Sequence, residues 1–208
     1  MPPQGQHAVS VFDLACGNLR FETFFKHAFP DVKADFYAVD NCDELLSAAS
    51  SVHYRHLDVV SALLDGVLLD GLRGVPPCDL SVSFGFLHHV PGDRWREDLL
   101  AHLVRQTRPG GYVIVSLWQF MRDENLAKKA CATHARAREA WGLPALDEGD
   151  YLLGWKNLPG AYRYCHSFSE GEIDRLAESV AKEAVLVRRF ASDGRTGNLN
   201  TYLVFRVR

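Results

Sequence analysis

The sequence lacks several features that would place it in a specialised class of protein. None of its five cysteines forms a C-x-x-C pair, and their wide spacing favours reduced thiols over a disulfide framework. No apolar run approaches membrane-spanning length, and the N-terminal MPPQGQHAVS has no basic stretch followed by an apolar core. A formal net charge of -3 gives no overall attraction to nucleic acid, although it leaves room for a local basic face. We therefore expect a cytoplasmic protein that does not enter a membrane.

Length and composition predict one globular domain. At 208 residues, 47% hydrophobic and 24% charged, the chain can bury a sizeable core and is not disordered by composition. We expect a single domain over 1–208 with an inserted segment at about 121–160. The first part of that segment, RDENLAKKACATHARAREAW, has a helical and mildly basic pattern, and the remainder is predicted to be irregular.

Apolar, β-branched runs alternate with helical patterns along the chain, which predicts βαβ units and a mostly parallel sheet. Ser169 and Glu172 form a capping box that begins the last helix. The segments EAVLVRRFAS and TYLVFRVR, joined by a Gly-containing turn, predict an antiparallel hairpin. The predicted fold class is α/β: a Rossmann-like, seven-stranded, mostly parallel sheet with helices on both faces and a C-terminal antiparallel hairpin. Strands are expected at 8–14, 35–40, 53–58, 79–84, 112–120 and in the hairpin, with helices that include 43–50 and 93–108.

The first predicted strand ends in DLACGNLR, residues 13–20, where the chain turns into a helix. Gly17 lets the backbone pass close to a ligand, and Ala15 is small, but a dinucleotide site usually has three glycines here. Asp40 ends the second strand, where a carboxylate can accept both hydroxyls of a ribose, and Asp58 ends the third, where it could accept from an adenine amino group. Because parallel strands end at one sheet edge, these groups are predicted to meet. The alternative is a tight structural turn with solvated strand-end charges.

These segments resemble the class I S-adenosylmethionine-dependent methyltransferases. FDLACGN, FYAVD, YRHLDV, CDLSVSFGFLHHV, RPGGYVIVSLW and the terminal hairpin occur in the family's order and cover nearly the whole chain. The family's Asp-x-Gly-x-Gly-x-Gly motif corresponds to Asp13, Ala15, Gly17 and Leu19. The resemblance implies S-adenosylmethionine as cofactor, a ligand with no pyrophosphate to bind. The cofactor-binding residues that it implies are Asp13, Ala15, Cys16, Gly17, Asn18, Asp40, Asn41, Asp58, Val59, Ser83, Phe84 and Gly85.

A narrower resemblance is to the tRNA wobble-uridine methyltransferases that esterify 5-carboxymethyluridine. SVSFGFLHHV, GDYLLGWK, RYCHSFSEGEIDRL and DGRTGNLNTYLVF carry it. Cys165 stands where the family usually has Tyr, and Ile173 where it has Leu. Members begin with a helix that covers the cofactor, and little precedes the first strand here. Two alternatives therefore stay open, a trimmed member of the family and a member whose cover comes from elsewhere. The resemblance implies O-methylation of a carboxylate on tRNA; a small zinc-binding activator, which eukaryotic members use, stays an open question.

The methyl acceptor decides which residues could be catalytic. A carboxylate is already ionised at pH 7 and needs no general base, so transfer requires mainly the alignment of donor and acceptor for in-line displacement. A hydroxyl or amine acceptor would make His88, His89 or His166 the candidate base. Substrate-binding candidates near the same sheet edge are Trp118, Arg163, Tyr164 and His166, for which core packing is the alternative.

No metal site is expected. His53 and His56 would face opposite ways on a strand, and no cysteine or carboxylate completes a set with Asp58. Arg188 and Arg189 on the hairpin, like the basic part of the insertion, are candidates for phosphate contacts. A small-molecule acceptor, a non-catalytic adaptor with the same fold and a nicotinamide oxidoreductase remain the alternative functions.

Overall fold

The structure is a computed structural model that describes residues 8–42, 52–155 and 158–208; the helix predicted at 43–50 lies outside them. Seven strands form the main sheet in the order β3-β2-β1-β4-β5-β9-β8, and β6 and β7 pair separately. The strands are β1 Val9–Leu14, β2 Ala34–Asp40, β3 Val52–His56, β4 Cys78–Ser83, β5 Thr107–Trp118, β6 Asp150–Gly154, β7 Tyr162–His166, β8 Ala184–Ser192 and β9 Asn200–Val207. The helices are α1 Arg20–Ala28, α2 Val59–Leu64, α3 Leu68–Gly71, α4 Asp93–Gln106, α5 Glu124–Trp141 and α6 Glu170–Ser179.

The strand directions confirm the predicted fold class. Strands β1 to β5 pair in parallel, whereas β9 runs antiparallel to β5 and β8 antiparallel to β9. The carboxyl ends of β1, β2, β3, β4 and β5 therefore lie at one edge of the sheet. Open α/β sheets bind their ligands at this edge.

Alternating side chains of β1 divide the core between the two faces of the sheet. Val11 packs with Phe25 of α1 and Phe36 of β2. Phe12 and Leu14 point to the opposite face, where the buried cluster includes leucines of α4 and α6. Because each face is covered by helices, the parallel strands are apolar along most of their length.

Two strand boundaries that differ from the sequence predictions have a clear physical reason. Strand β3 ends at His56 rather than at Asp58, because Asp58 is the N-cap of α2 and its side chain accepts from the Ser61 N–H. Strand β5 begins at Thr107 rather than at residue 112, so Pro109 and the two following glycines, which were expected to end the preceding helix, lie within it. The register of β5 against β4 shifts there, which accommodates these residues.

The inserted segment is also more regular than predicted. Its helical part is confirmed as α5, but the continuation predicted to be irregular contains β6, which pairs antiparallel with β7. Among the described residues, no helix is long and apolar enough to cross a membrane.

Candidate cofactor and acceptor site

The loop between β1 and α1 has an unusual backbone conformation. Ala15, Gly17 and Leu19 all have positive φ, at 64°, 54° and 58°. Glycine adopts this left-handed region without strain, whereas alanine and leucine do not. A Cβ added to Gly17 would meet nothing within 4 Å. The loop thus has the backbone conformation that three glycines would favour, although only one of the three positions is glycine, and it leaves open space beside Gly17.

Asp40 fixes this loop to the end of β2. Its Oδ2 accepts the Gly17 N–H at 2.8 Å, and its Oδ1 accepts the Cys42 N–H at 3.0 Å. Each carboxylate oxygen has two acceptor positions, so both retain one for a further donor. The structure therefore brings the predicted residues Gly17 and Asp40 into direct contact, and Asp40 retains acceptor capacity for ribose hydroxyls.

Asp13 has a buried acidic neighbour that the sequence analysis missed. Asp13 and Glu22 are 3% and 2% exposed, and burial raises the pKa of both carboxyls. Among the described residues, neither oxygen of Glu22 has a hydrogen-bond donor as long as both carboxyls are ionised. A proton held between the two acids supplies that bond, since a protonated carboxyl is a donor. The Asp13 carboxyl, predicted to contact the cofactor, is thus buried against Glu22.

The other predicted cofactor residues divide into exposed and buried groups. Asn18, Asn41 and Gly85 are exposed at the sheet edge, and Asp58 is exposed with one oxygen capping α2. The remaining predicted residues are buried or half-buried; the Ser83 hydroxyl, for example, donates to the carbonyl of Leu14 at 3.0 Å. Phe84 packs edge-to-face on Phe21 of α1, and Ala15, Cys16 and Val59 complete the predicted set.

Three of the predicted acceptor-side residues lie together beyond β4 and β5. The rings of His88 and His89 are 4.2 Å apart, and Trp118 lies 4.9 Å from His88. The ring of His89 is held through Nδ1, which is 3.0 Å from the carbonyl oxygen of Tyr164. Burial lowers the pKa of both histidines, so they are neutral at pH 7. Arg163 instead lies over the ring of Trp155 at 4.7 Å.

His166 belongs to a buried polar network with Asp150 and Arg96. His166 Nδ1 lies 2.7 Å from Asp150 Oδ1, and the Tyr164 hydroxyl donates to the same oxygen at 2.5 Å. Arg96 is 3% exposed and donates to the Tyr164 hydroxyl and to Asp150 at 2.8 and 3.3 Å. Burial acts to raise the pKa of Asp150, but these hydrogen bonds and the Arg96 charge outweigh it and hold that pKa below its usual value.

This network forms one wall of a cleft of about 760 Å³. The cleft extends from the N-terminal end of α4 to that of α6 and includes Gln119 at the end of β5. Its lining contains His166 but none of the predicted cofactor residues. Six carboxylates and three arginines line it: Asp93, Asp147, Glu148, Asp150, Glu170, Glu172, Arg96, Arg122 and Arg175.

Sequence reasoning missed Arg96, Asp150 and Glu22 as members of the site. For two of them the sequence pattern contains a signal. Arg96 falls on the apolar, buried face of α4 together with Leu99 and Leu103. Glu22 similarly falls on the buried face of α1. A charged residue on an apolar stripe needs a buried partner. Asp150 gave no such signal within the acidic segment that precedes it.

Solved structures identify the architecture. An S-adenosylmethionine-dependent methyltransferase from Methanosarcina mazei aligns over 98% of this chain and 94% of its own, with a TM-score of 0.66 and 16% identity. The chain has the methyltransferase fold. The resemblance inferred from the sequence is thus confirmed for the fold. A pericyclic reaction enzyme also aligns, over 100% of this chain and 45% of its own, with a TM-score of 0.60 and 11% identity. The fold therefore does not by itself determine the reaction.

One relative with a named activity matches part of the chain in sequence. A tRNA (carboxymethyluridine(34)-5-O)-methyltransferase from Arabidopsis thaliana is 31% identical over 67 residues. The matched segment is 32% of this chain and 17% of the relative. No family model matches the chain.

Proposed function

We propose that the chain is an S-adenosylmethionine-dependent methyltransferase. The observation that carries the proposal is the loop of Ala15, Gly17 and Leu19, held in a left-handed conformation and hydrogen-bonded through the Gly17 N–H to Asp40. The open space beside Gly17 and the spare acceptor capacity of Asp40 fit the cofactor's amino-acid and ribose parts. When bound, S-adenosylmethionine supplies a methyl group already activated by its sulfonium.

The residues of this chain would then perform three tasks. The loop of residues 15–19 and Asp40 would position the cofactor, and the remaining predicted cofactor residues would complete its site. Trp118 and the neutral His88 and His89 would form the wall beside the acceptor. Alignment and the exclusion of water are the main contributions that a protein makes to such a transfer.

For the acceptor, we propose a carboxylate oxygen of a modified wobble uridine in tRNA. The named activity of the Arabidopsis relative supports this choice, as do the sequence segments that resemble wobble-uridine methyltransferases. An ionised carboxylate accepts a methyl group without a general base. This fits the neutral state of the buried His88 and the half-buried His89. It also fits the position of His166, whose two ring nitrogens lie 2.7 Å from Asp150 and 3.0 Å from Glu172.

A small-molecule acceptor is the second candidate, and the charge of the cleft favours it. Asp147 and Glu148 form no ion pair with any described residue, whereas Arg122 and Arg189 both pair with Glu170. Arg122 and Arg189 were candidates for phosphate contacts, but the negative charge of Glu170 offsets their positive potential at this surface. An acidic cleft disfavours the approach of a polyanion.

Two measurements test the proposal. Replacing Asp40 with Ala removes the acceptor for the Gly17 N–H and for a ribose, so S-adenosylmethionine binding should weaken more than tenfold, by about 1.5–3 kcal/mol. Calorimetry of both proteins measures this change. Incubation with S-adenosylmethionine and a tRNA pool, followed by mass analysis of nucleosides, tests the acceptor. Methyl ester on 5-carboxymethyluridine supports the tRNA proposal; no product and no tRNA binding at low salt would leave the small-molecule acceptor.

A further inference from the structure

His88, His89 and Cys165 form a compact cluster that the proposed methyl transfer does not explain. Each residue has a potential metal-binding atom, and these three atoms lie within 4.8 Å of one another. His88 and His89 follow β4, whereas Cys165 lies on β7, so the fold brings together residues 76 positions apart. The sequence predicted no metal site, because its apparent candidate set was His53, His56 and Asp58, whose spacing does not suit one.

The histidines have features that metal ligands require. The Nδ1 atom of His88 is buried and has no hydrogen-bond partner among the described residues, although buried polar atoms normally have one. His89 directs Nδ1 to the backbone carbonyl of Tyr164 at 3.0 Å. Such a bond fixes the tautomer of a metal-binding histidine and leaves Nε2 available to the ion.

Cys165 completes a donor set that favours one class of ion. Its side chain is fully buried, and its Sγ is 3.8 Å from Nδ1 of His89. Burial raises the pKa of the free thiol to about 11, so without a cation it stays protonated. A divalent ion would replace that proton, which passes to solvent as the S–H bond gives way to a sulfur–metal bond. The positive charge of the nearby Arg163 favours the thiolate form of Cys165.

We propose that His88, His89 and Cys165 bind one zinc ion. A thiolate with two imidazoles is a typical zinc donor set. The candidate donor atoms lie within 4.8 Å of one another and would have to approach to about 3.5 Å, the spacing of nitrogen and sulfur ligands around a tetrahedral zinc ion. Three protein ligands leave a fourth position, as in zinc sites that bind water or substrate rather than purely structural ones. Trp118, a predicted substrate residue, packs on His88 at 4.9 Å, so the ion would lie at the edge of the proposed acceptor site.

Metal content and cobalt spectroscopy of the full chain test this proposal. The protein purified without chelators should hold about one zinc per chain, and Co²⁺ in its place should give a sulfur-to-cobalt charge-transfer band. Cys165→Ala should abolish that band and lower the Co²⁺ affinity more than tenfold. Cys78→Ala is the matched control, because Cys78 is equally buried but lies outside the cluster; it should keep both.

His88→Phe provides an independent variant, because it keeps an aromatic ring against Trp118 but removes the donor nitrogens. It should also lose cobalt affinity, and it decides the question if circular dichroism shows that Cys165→Ala does not fold. Wild-type protein without zinc and without the cobalt band would overturn the proposal, as would a band that persists in Cys165→Ala. These readings require no S-adenosylmethionine, so they remain informative if the proposed methyl transfer fails.

Discussion

Two replacements in the β1–α1 loop should change stability in opposite directions. Ala15 and Leu19 share the left-handed conformation, with φ of 64° and 58°, but differ in burial. Ala15 is half-buried, whereas the Leu19 side chain is only 7% exposed and packs against Cys16 and Ala38. Glycine at either position removes the backbone strain, and at Leu19 it also removes a buried side chain.

The magnitudes determine the expected sign. Relief of the left-handed conformation is worth about 1–2 kcal/mol, while the added flexibility of an unfolded glycine costs about 0.4–1 kcal/mol. Ala15→Gly also loses part of one methyl contact, so we expect a net gain of about 0.5 kcal/mol. Leu19→Gly loses an additional ~2–3 kcal/mol of apolar burial, so it should be destabilised by about 2 kcal/mol.

Calorimetric melting of the two variants and the wild type measures these effects. For a chain of this size, Ala15→Gly should melt about 1–2 °C higher and Leu19→Gly about 4–8 °C lower. A lower melting temperature for Ala15→Gly, by several degrees, would refute the interpretation that its backbone is strained. A higher one for Leu19→Gly would refute the estimate of its packing.

Three further predictions follow from the site. Because burial raises the pKa of Glu22, wild-type stability should fall as pH rises above the ordinary carboxyl range; Glu22→Gln should flatten this loss between pH 5 and 8 in melting curves. Arg96→Met leaves Asp150 buried without its cation and should cost about 3–5 kcal/mol at pH 7 in urea unfolding. Because the pKa of Asp150 is lowered, that difference should shrink as pH falls below about 4; an unchanged difference would contradict the role of its charge. Gly17→Ala and its control Gly197→Ala place a Cβ in open space at φ of 54° and 71°. Both should lose about 0.5 kcal/mol of stability, because the less flexible unfolded chain offsets part of the strain. Only the first should weaken S-adenosylmethionine binding; equal binding would contradict the proposed cofactor position.

The sequence predicted the sheet well because its strands carry their own signal. Continuous apolar runs, a capping box at Ser169 and a Gly-containing hairpin turn are local features, and each folded as expected. Pro109 misled the prediction for β5, because a register shift in the sheet accommodates it. Strand β6 was missed because only its pairing with β7 makes that acidic, glycine-containing segment extended.

The site was predictable only where strand ends determine it. Asp40 could be placed beside Gly17 because parallel strands end at the same edge. The contact of Cys165 with His89 could not be predicted, because it depends on how β7 packs against the turn after β4. The pairing of Arg96 with Asp150 could not be predicted for the same reason. Asp150 is 54 residues away along the chain and lies on β6, outside the main sheet.

Calorimetric titration of the wild-type chain with S-adenosylmethionine, and separately with NAD, tests the central claim most directly. The left-handed loop and Asp40 predict saturable binding of S-adenosylmethionine and none of NAD, because a single glycine offers little support for a pyrophosphate. Absence of S-adenosylmethionine binding at millimolar concentration would contradict the claim and leave a chain with the methyltransferase fold that does not use its cofactor.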